Sequence, residues 1–250
     1  MRFCIGSRLS ASRLIFVSSW QFPSFRMQRI VATGCVALAG LLAAPIEVTL
    51  AQVTVLLPTE GDLKATLALQ GDVVRGKDAY AECQTCHRQD ASGRARFDIP
   101  RLSGQHASVL IKQLMDIRSD QRVNTEMRAY MLDSDLTLQE FADMAAYLQS
   151  LPVVGDIARG PPELVQQGRA VYARDCATCH GERGEGRAEL FYPMLASQHY
   201  NYLLREMGLI LSGQRGNSNP AMPPILGNLS ADDQRAVASY LSHLPPPDRR

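Results

Sequence analysis

The pentapeptide Cys83-Gln84-Thr85-Cys86-His87 recurs as Cys176-Ala177-Thr178-Cys179-His180. Such a run places two thiols where they can close on the two vinyl groups of one haem, while the adjacent imidazole meets the iron from the same side. Two copies imply two covalently bound haem c groups, one on Cys83 and Cys86 with His87 as iron ligand, the other on Cys176 and Cys179 with His180. A chain tethered in this way must fold around two large apolar plates. Two Cys-x-x-Cys knuckles could instead build a zinc site, but zinc knuckles stand much closer together and need no His after each pair. A thioredoxin-like dithiol would follow a strand pattern, and neither motif does.

The remaining cysteines, Cys4 and Cys35, both lie near the N-terminus. Residues 27–51 have a basic start at Arg29, an apolar stretch from Ile30 to Ala44 and the small-residue end Thr49-Leu50-Ala51, which is the layout of a secretory signal peptide. Residues 1–51 are therefore expected to be a leader, with translation starting at Met27 and the protein exported to the periplasm, soluble or peripherally membrane-associated. The alternative is an uncleaved anchor giving membrane association, although the apolar run is short for a full span. Residues 1–51 carry five arginines and one acid, so the remainder has 21 basic and 24 acidic groups, a net charge of −3. That balance gives no basis for binding nucleic acid, and a redox partner with a positive rim complements it.

The two halves align with the offset that separates Cys83 from Cys176, 93 residues, and without gaps after the motifs. Pro100 matches Pro193, Leu102 matches Leu195, Gln105-His106 matches Gln198-His199, Gln121-Arg122 matches Gln214-Arg215, and Tyr147-Leu148 matches Tyr240-Leu241. Before the motifs, Gly76 and Tyr80 correspond to Gly168 and Tyr172 at nearly the same spacing. A glycine four residues before an aromatic puts both on one helical face, which can approach a second helix closely. Apolar residues recur at three- and four-residue steps over 108–119, 138–151, 200–212 and 231–244, and no stretch alternates as a strand would. The fold class is all-α: two tandem domains, each a few helices around a covalently attached haem. The first domain spans 72–151, with Asp72 as N-cap, and the second spans 164–246. A Pro/Gly-rich linker covers 152–163, and residues 52–71 form an extension without strong periodicity.

What fills the second axial position on each iron decides the chemistry, because a thioether stabilises the reduced state whereas an open position admits ligands or peroxide. In the second domain Met222, in Asn219-Pro220-Ala221-Met222-Pro223-Pro224, is the candidate. In the first, the position in register is Ala129, flanked by Met127 and Met131. Met127 has the better context, close after the Gln-Arg-x-Asn run, with Met131 as the alternative. His106 and His199 are matched and could in principle ligate, but each opens an amphipathic helix. Met115, Met144, Met194 and Met207 read as core residues. Pro100 and Pro193 stand thirteen residues after their ligand histidines, where a backbone carbonyl could accept the imidazole N–H and fix the ring.

Together the paired motifs, Pro-x-Leu-x-x-Gln at 100–105 and 193–198, Gln113-Leu114 and Ala145-Ala146-Tyr147 resemble the tandem dihaem class I cytochromes c of the "c-four" type, over residues 72–245. The resemblance implies two all-α domains, His/Met-ligated haems and periplasmic electron transfer, often towards a terminal oxidase. The chain departs from the pattern in its first Met loop and at Ala196-Ser197, where the first unit has Ser103-Gly104; the second difference is expected to matter little. These features describe a one-electron carrier with no catalytic residues, serving a donor dehydrogenase or cytochrome complex and an acceptor oxidase. The alternatives are a cytochrome subunit of such a complex and a dihaem peroxidase.

Overall fold

The computed structural model describes residues 59–133 and 135–247. The leader expected at 1–51, with its start at Met27, lies outside them. Among the described residues no helix is long and apolar enough to cross a membrane, and the only extended pairings are two isolated bridges, Arg94 with Ile99 and Arg187 with Tyr192.

The first domain comprises α1 (Glu60–Ala68), α2 (Val73–Ala79), α3 (Gln84–His87), α4 (Ala107–Arg118), α5 (Thr125–Asp133) and α6 (Leu138–Ser150). The second comprises α7 (Val165–Asp175), α8 (Ala177–His180), α9 (Tyr200–Leu211), α10 (Met222–Gly227) and α11 (Ala231–His243). Asp72 caps α2 as expected, its Oδ1 accepting the Val74 and Arg75 amides at 2.9 Å. Thr137 and Glu140 form a capping box that starts α6, and Ser230 accepts the Asp233 amide at the start of α11. Helix α1 falls in the stretch read as lacking periodicity. A Thr59–Asp62 capping box starts it, and Leu63 and Leu67 pack on the first core.

Each domain is organised by the crossing of the helix that precedes its haem motif, α2 or α7, over its last helix, α6 or α11. A Cβ on Gly76 would lie 2.0 Å from the Asp143 carbonyl oxygen, and one on Gly168 would lie 1.9 Å from that of Ala236. Backbone therefore meets backbone, which only glycine permits. One turn later Tyr80 packs on Tyr147 with ring centroids 5.7 Å apart, and Tyr172 packs on Tyr240 at 5.5 Å. The two approaches to the haem motif differ by one residue. In the first, α2 ends at Ala79 and a 3-10 turn over Ala81–Cys83 reaches the motif; in the second, α7 continues to Asp175.

The two domains belong to one compact unit and meet in an arrangement with local two-fold symmetry. Gln105 accepts the Met194 amide at 2.9 Å and donates to the Met194 carbonyl at 3.0 Å. Its repeat equivalent Gln198 makes the same two bonds to Arg101, both at 3.0 Å. Exchange of equivalent partners is the signature of an isologous contact. Arg101 itself is 1% exposed, and its guanidinium donates to the carbonyls of Ser197 at 2.7 Å and Ala196 at 2.9 Å. The Ala196-Ser197 difference, expected to matter little, thus lies at the centre of the interface. What counts there is the backbone oxygens, which the side chains do not reveal. Ser197 also holds φ at 56°, the left-handed conformation that Gly104 adopts in the first repeat at 75°.

Gly168→Ala should destabilise the second domain by about 3 kcal/mol, the upper part of the range for an overpacked core, read as a lower denaturant midpoint of the haem-loaded protein.

Candidate haem sites

Each Cys-x-x-Cys-His run ends in a short helical turn that buries the histidine and leaves both cysteines partly buried. His87 and His180 are 5% and 7% exposed. Their Nδ1 atoms stand 3.2 Å from the Pro100 carbonyl and 3.3 Å from the Pro193 carbonyl. An Nδ1–H donated to that oxygen leaves Nε2 with its lone pair, the atom an iron would take. Burial pushes both imidazoles below their usual pKa, which favours the neutral, ligating form. Burial also pushes the first thiol of each motif, Cys83 and Cys176, up to about 11.

The same groups hold both motifs in place. Tyr80 donates its hydroxyl to the Arg88 carbonyl at 2.8 Å, and Tyr172 donates to Gly181 at 2.6 Å, in each case the residue after the histidine. The loop from histidine to proline then folds back through Gly93 and Gly186, at φ 80° and 75°, whose amides donate to the carbonyls of His87 and His180. A side chain on either glycine would meet the opposite arm of its loop at 2.4 Å. The tyrosine and the loop together hold each motif, and in the first the Arg94 guanidinium also donates to the Cys86 carbonyl at 3.2 Å and the Thr85 carbonyl at 3.0 Å.

A cavity of about 420 Å³ opens against Cys176, Cys179 and His180. Much of its wall is apolar, from Leu203, Met207, Ile210, Leu226, Leu229 and Val237, and a polar stretch is formed by Lys112, Gln113, Arg215 and Asn217. Leu190, at 46% exposure, and Asn219, Pro220 and Ala221 also line it and are exposed, so the cavity reaches the surface. An apolar plate carrying two carboxylates on one edge matches this distribution, so the residues present fit a haem.

Met222 lines this cavity from the first turn of α10. Asn219 fixes the entry to that turn, its backbone oxygen accepting the Met222 amide at 2.9 Å and its Oδ1 accepting the Ala221 amide at 2.9 Å. In the first domain Met127 and Met131 both sit on α5, four residues apart and so on one face. Met127 is half-buried, with its amide donated to Asn124 at 3.1 Å, while Met131 is 4% exposed within the core. Met115, Met144, Met194 and Met207 are all buried, at 9% exposure or less.

His106 and His199 do something that spacing alone did not reveal. His106 Nε2 lies 2.7 Å from the Glu185 carbonyl in the second domain, and His199 Nε2 lies 2.8 Å from the Ser92 carbonyl in the first. Each lies outside its own haem motif and bridges to the other repeat. The signal was their matched position, which fits an interface as well as a ligand.

Two all-α domains, each carrying a buried, oriented histidine directly after two partly buried cysteines, define a dihaem c-type cytochrome. The family model for cytochrome c matches residues 73–152 and again 165–245. Cytochrome c4 of Pseudomonas aeruginosa is 32% identical over 184 residues, 70% of this chain and 89% of that one. The thiosulfate dehydrogenase electron acceptor of Stutzerimonas stutzeri is 31% identical over 75% of this chain and 94% of its own. The crystal structure of reduced recombinant cytochrome c4 from Pseudomonas stutzeri superposes with a TM-score of 0.63 at 30% identity, covering 70% of this chain and all of that one. The chain belongs to the cytochrome c family, as a dihaem electron-transfer protein of the cytochrome c4 type.

His199 yields a pH prediction. The Ala158 amide donates to its Nδ1 at 3.2 Å, so the folded protein needs that nitrogen unprotonated. Burial, with smaller contributions from Arg101 and Arg88, holds its pKa below 6.5 despite the Ser92 carbonyl and Asp156. A depressed histidine pKa gives stability that is fully present above 6.5 and is lost as pH falls towards the folded value. Denaturant unfolding between pH 7 and 5 should therefore show a shallower pH slope in His199→Gln than in the parent.

Proposed function

We propose that this protein is a periplasmic one-electron carrier between a respiratory dehydrogenase or cytochrome complex and an acceptor such as a terminal oxidase, with His87 and Met127 as axial ligands in the first domain and His180 and Met222 in the second. The observation that carries the reading is that Met222 and His180 line one cavity together with Cys176 and Cys179. The bound haem iron supplies one-electron Fe(II)/Fe(III) chemistry, and a thioether ligand favours the reduced state.

The chain's own contribution is to restrict that chemistry. The Pro100 and Pro193 carbonyls hold the histidine rings, so a change in iron charge demands little movement of the ligands. Apolar side chains such as Leu226, Leu229 and Val237 keep water from the second site, which also favours the less charged, reduced centre. In the first domain, Met127 enters α5 beside Asn124, the repeat equivalent of Asn217 in the second cavity's wall. The surface opening at Leu190 gives a partner access to one edge of the second site. The relative named as an electron acceptor of thiosulfate dehydrogenase supports a dehydrogenase as donor.

Met222→Ala and Met127→Ala should each abolish the weak far-red band of one Met–Fe(III) haem, lower that haem's potential and allow carbon monoxide to bind, while Met131→Ala leaves the band intact. A parent protein in which one haem is high-spin or binds carbon monoxide would overturn the simple carrier and favour ligand or peroxide chemistry.

A further inference from the structure

A buried ring of four polar side chains lies where the domains meet. Its arginines, Arg122 and Arg215, are repeat equivalents, and so are its acceptors, Gln113 and Glu206. Glu206 Oε2 accepts from Arg122 at 3.0 Å and from Arg215 at 2.7 Å. Gln113 Oε1 accepts from Arg122 at 3.0 Å and from Arg215 at 3.2 Å. The ring is thus two-fold in shape and broken in charge, with a neutral amide on one side and a carboxylate on the other. Side-chain exposure is 9% for Arg122, 16% for Arg215 and 8% for Glu206.

Two more ion pairs flank it. Lys112 pairs with Asp116, and Arg205 pairs with Glu206 Oε1 at 3.0 Å. Asn217 joins the groups by donating to Asp116 at 2.7 Å and to Gln113 at 3.1 Å. The cluster therefore holds four cations, Lys112, Arg122, Arg205 and Arg215, against two carboxylates, Asp116 and Glu206. The buried groups alone balance, and the surplus of two comes from Lys112 and Arg205, whose side chains are 24% and 35% exposed at the edge of the cluster; an ionised haem propionate there would offset part of it. Lys112, Gln113, Glu206 and Arg215 all line the second haem cavity. Arg205, the repeat equivalent of Lys112, has a buried Nε with no hydrogen-bond partner.

We propose that Glu206 is a positioning residue that acts through Arg122 and Arg215 to lower the potential of the second haem, offsetting part of the positive field these arginines direct at its propionate edge. A carboxylate close to the iron favours the oxidised centre, which carries one more positive charge, and burial spares the interaction from salt screening. Gln113 occupies the equivalent place without that charge. The inference rests on the two haems and not on which methionine ligates the first.

The test is a redox titration of the dihaem parent, Glu206→Gln and Gln113→Glu, followed at the second haem through methyl resonances recognised by their contacts with Leu226 and Leu229. Glu206→Gln should raise the reduced-to-oxidised ratio of that haem about tenfold at a fixed mediator potential, about 59 mV for one electron. Gln113→Glu should lower the ratio by a similar factor. Ratios within about twofold of the parent in both variants would overturn the proposal. Shifts of the same sign in both would also overturn it, because a general loosening of the interface moves both one way. Should Glu206→Gln fail to accumulate with two haems, Gln113→Glu alone decides: a fall supports the proposal, and no change or a rise overturns it.

Discussion

The contact on which the rest of the structure depends is the meeting of two helix backbones at a glycine, Gly76 against Asp143 and Gly168 against Ala236. It sets the distance between the helix before the haem motif and the last helix of each domain, and it leaves the following tyrosine to pack along the crossing. The tyrosine hydroxyl then reaches the residue after the haem-ligand histidine. A bond of this kind contributes only about 1 kcal/mol to stability. Its larger effect is geometric, since it ties the motif to the helix crossing. In the first domain Arg75 adds an ionic tie across the same crossing, holding the Asp143 carboxyl down to about 2.

The domain interface follows a different logic. It is built from hydrogen bonds to backbone oxygens and amides, those of Gln105 and Gln198 and of His106 and His199 made twice by equivalent residues and those of Arg101 made on one side only, with the arginine ring between. Such bonds add little individually but are costly to leave unmade once buried. The interface therefore selects one relative placement of the domains, and that placement brings Lys112 and Gln113 of the first domain into the wall of the second haem cavity. The second site is complete only when the first domain is in place.

Much of this was legible in the sequence. The long helices appear within a residue or two of where three- and four-residue periodicity puts them, because each buries one face and exposes the other. The close approach at the glycines was readable from a small residue four before an aromatic. Helix α1 was not, because its burial depends on a tertiary partner more than on a strong apolar stripe of its own. Arg101 gave no signal, since its repeat equivalent is Met194 and its bonds are to backbone oxygens. His106 and His199 were visible as a matched pair, but matched polar residues serve an interface and a metal equally well. In the first domain, Met127 and Met131 fall on one face of one helix, so neither spacing nor helix position separates them.

An isologous contact between two copies of one domain is the contact a symmetric homodimer would make. Joining the copies in one chain keeps the second always within reach of the first, so the pairing no longer depends on protein concentration. It also releases the two sequences from each other. In a homodimer any substitution at the interface appears twice, and a carboxylate in place of Gln113 would bring a second one with it. In the fused chain Glu206 can stand alone opposite Gln113, and Arg101 opposite Met194. Two chemically identical cofactors can then be made inequivalent by changes that a dimer of identical subunits has no means of confining to one side.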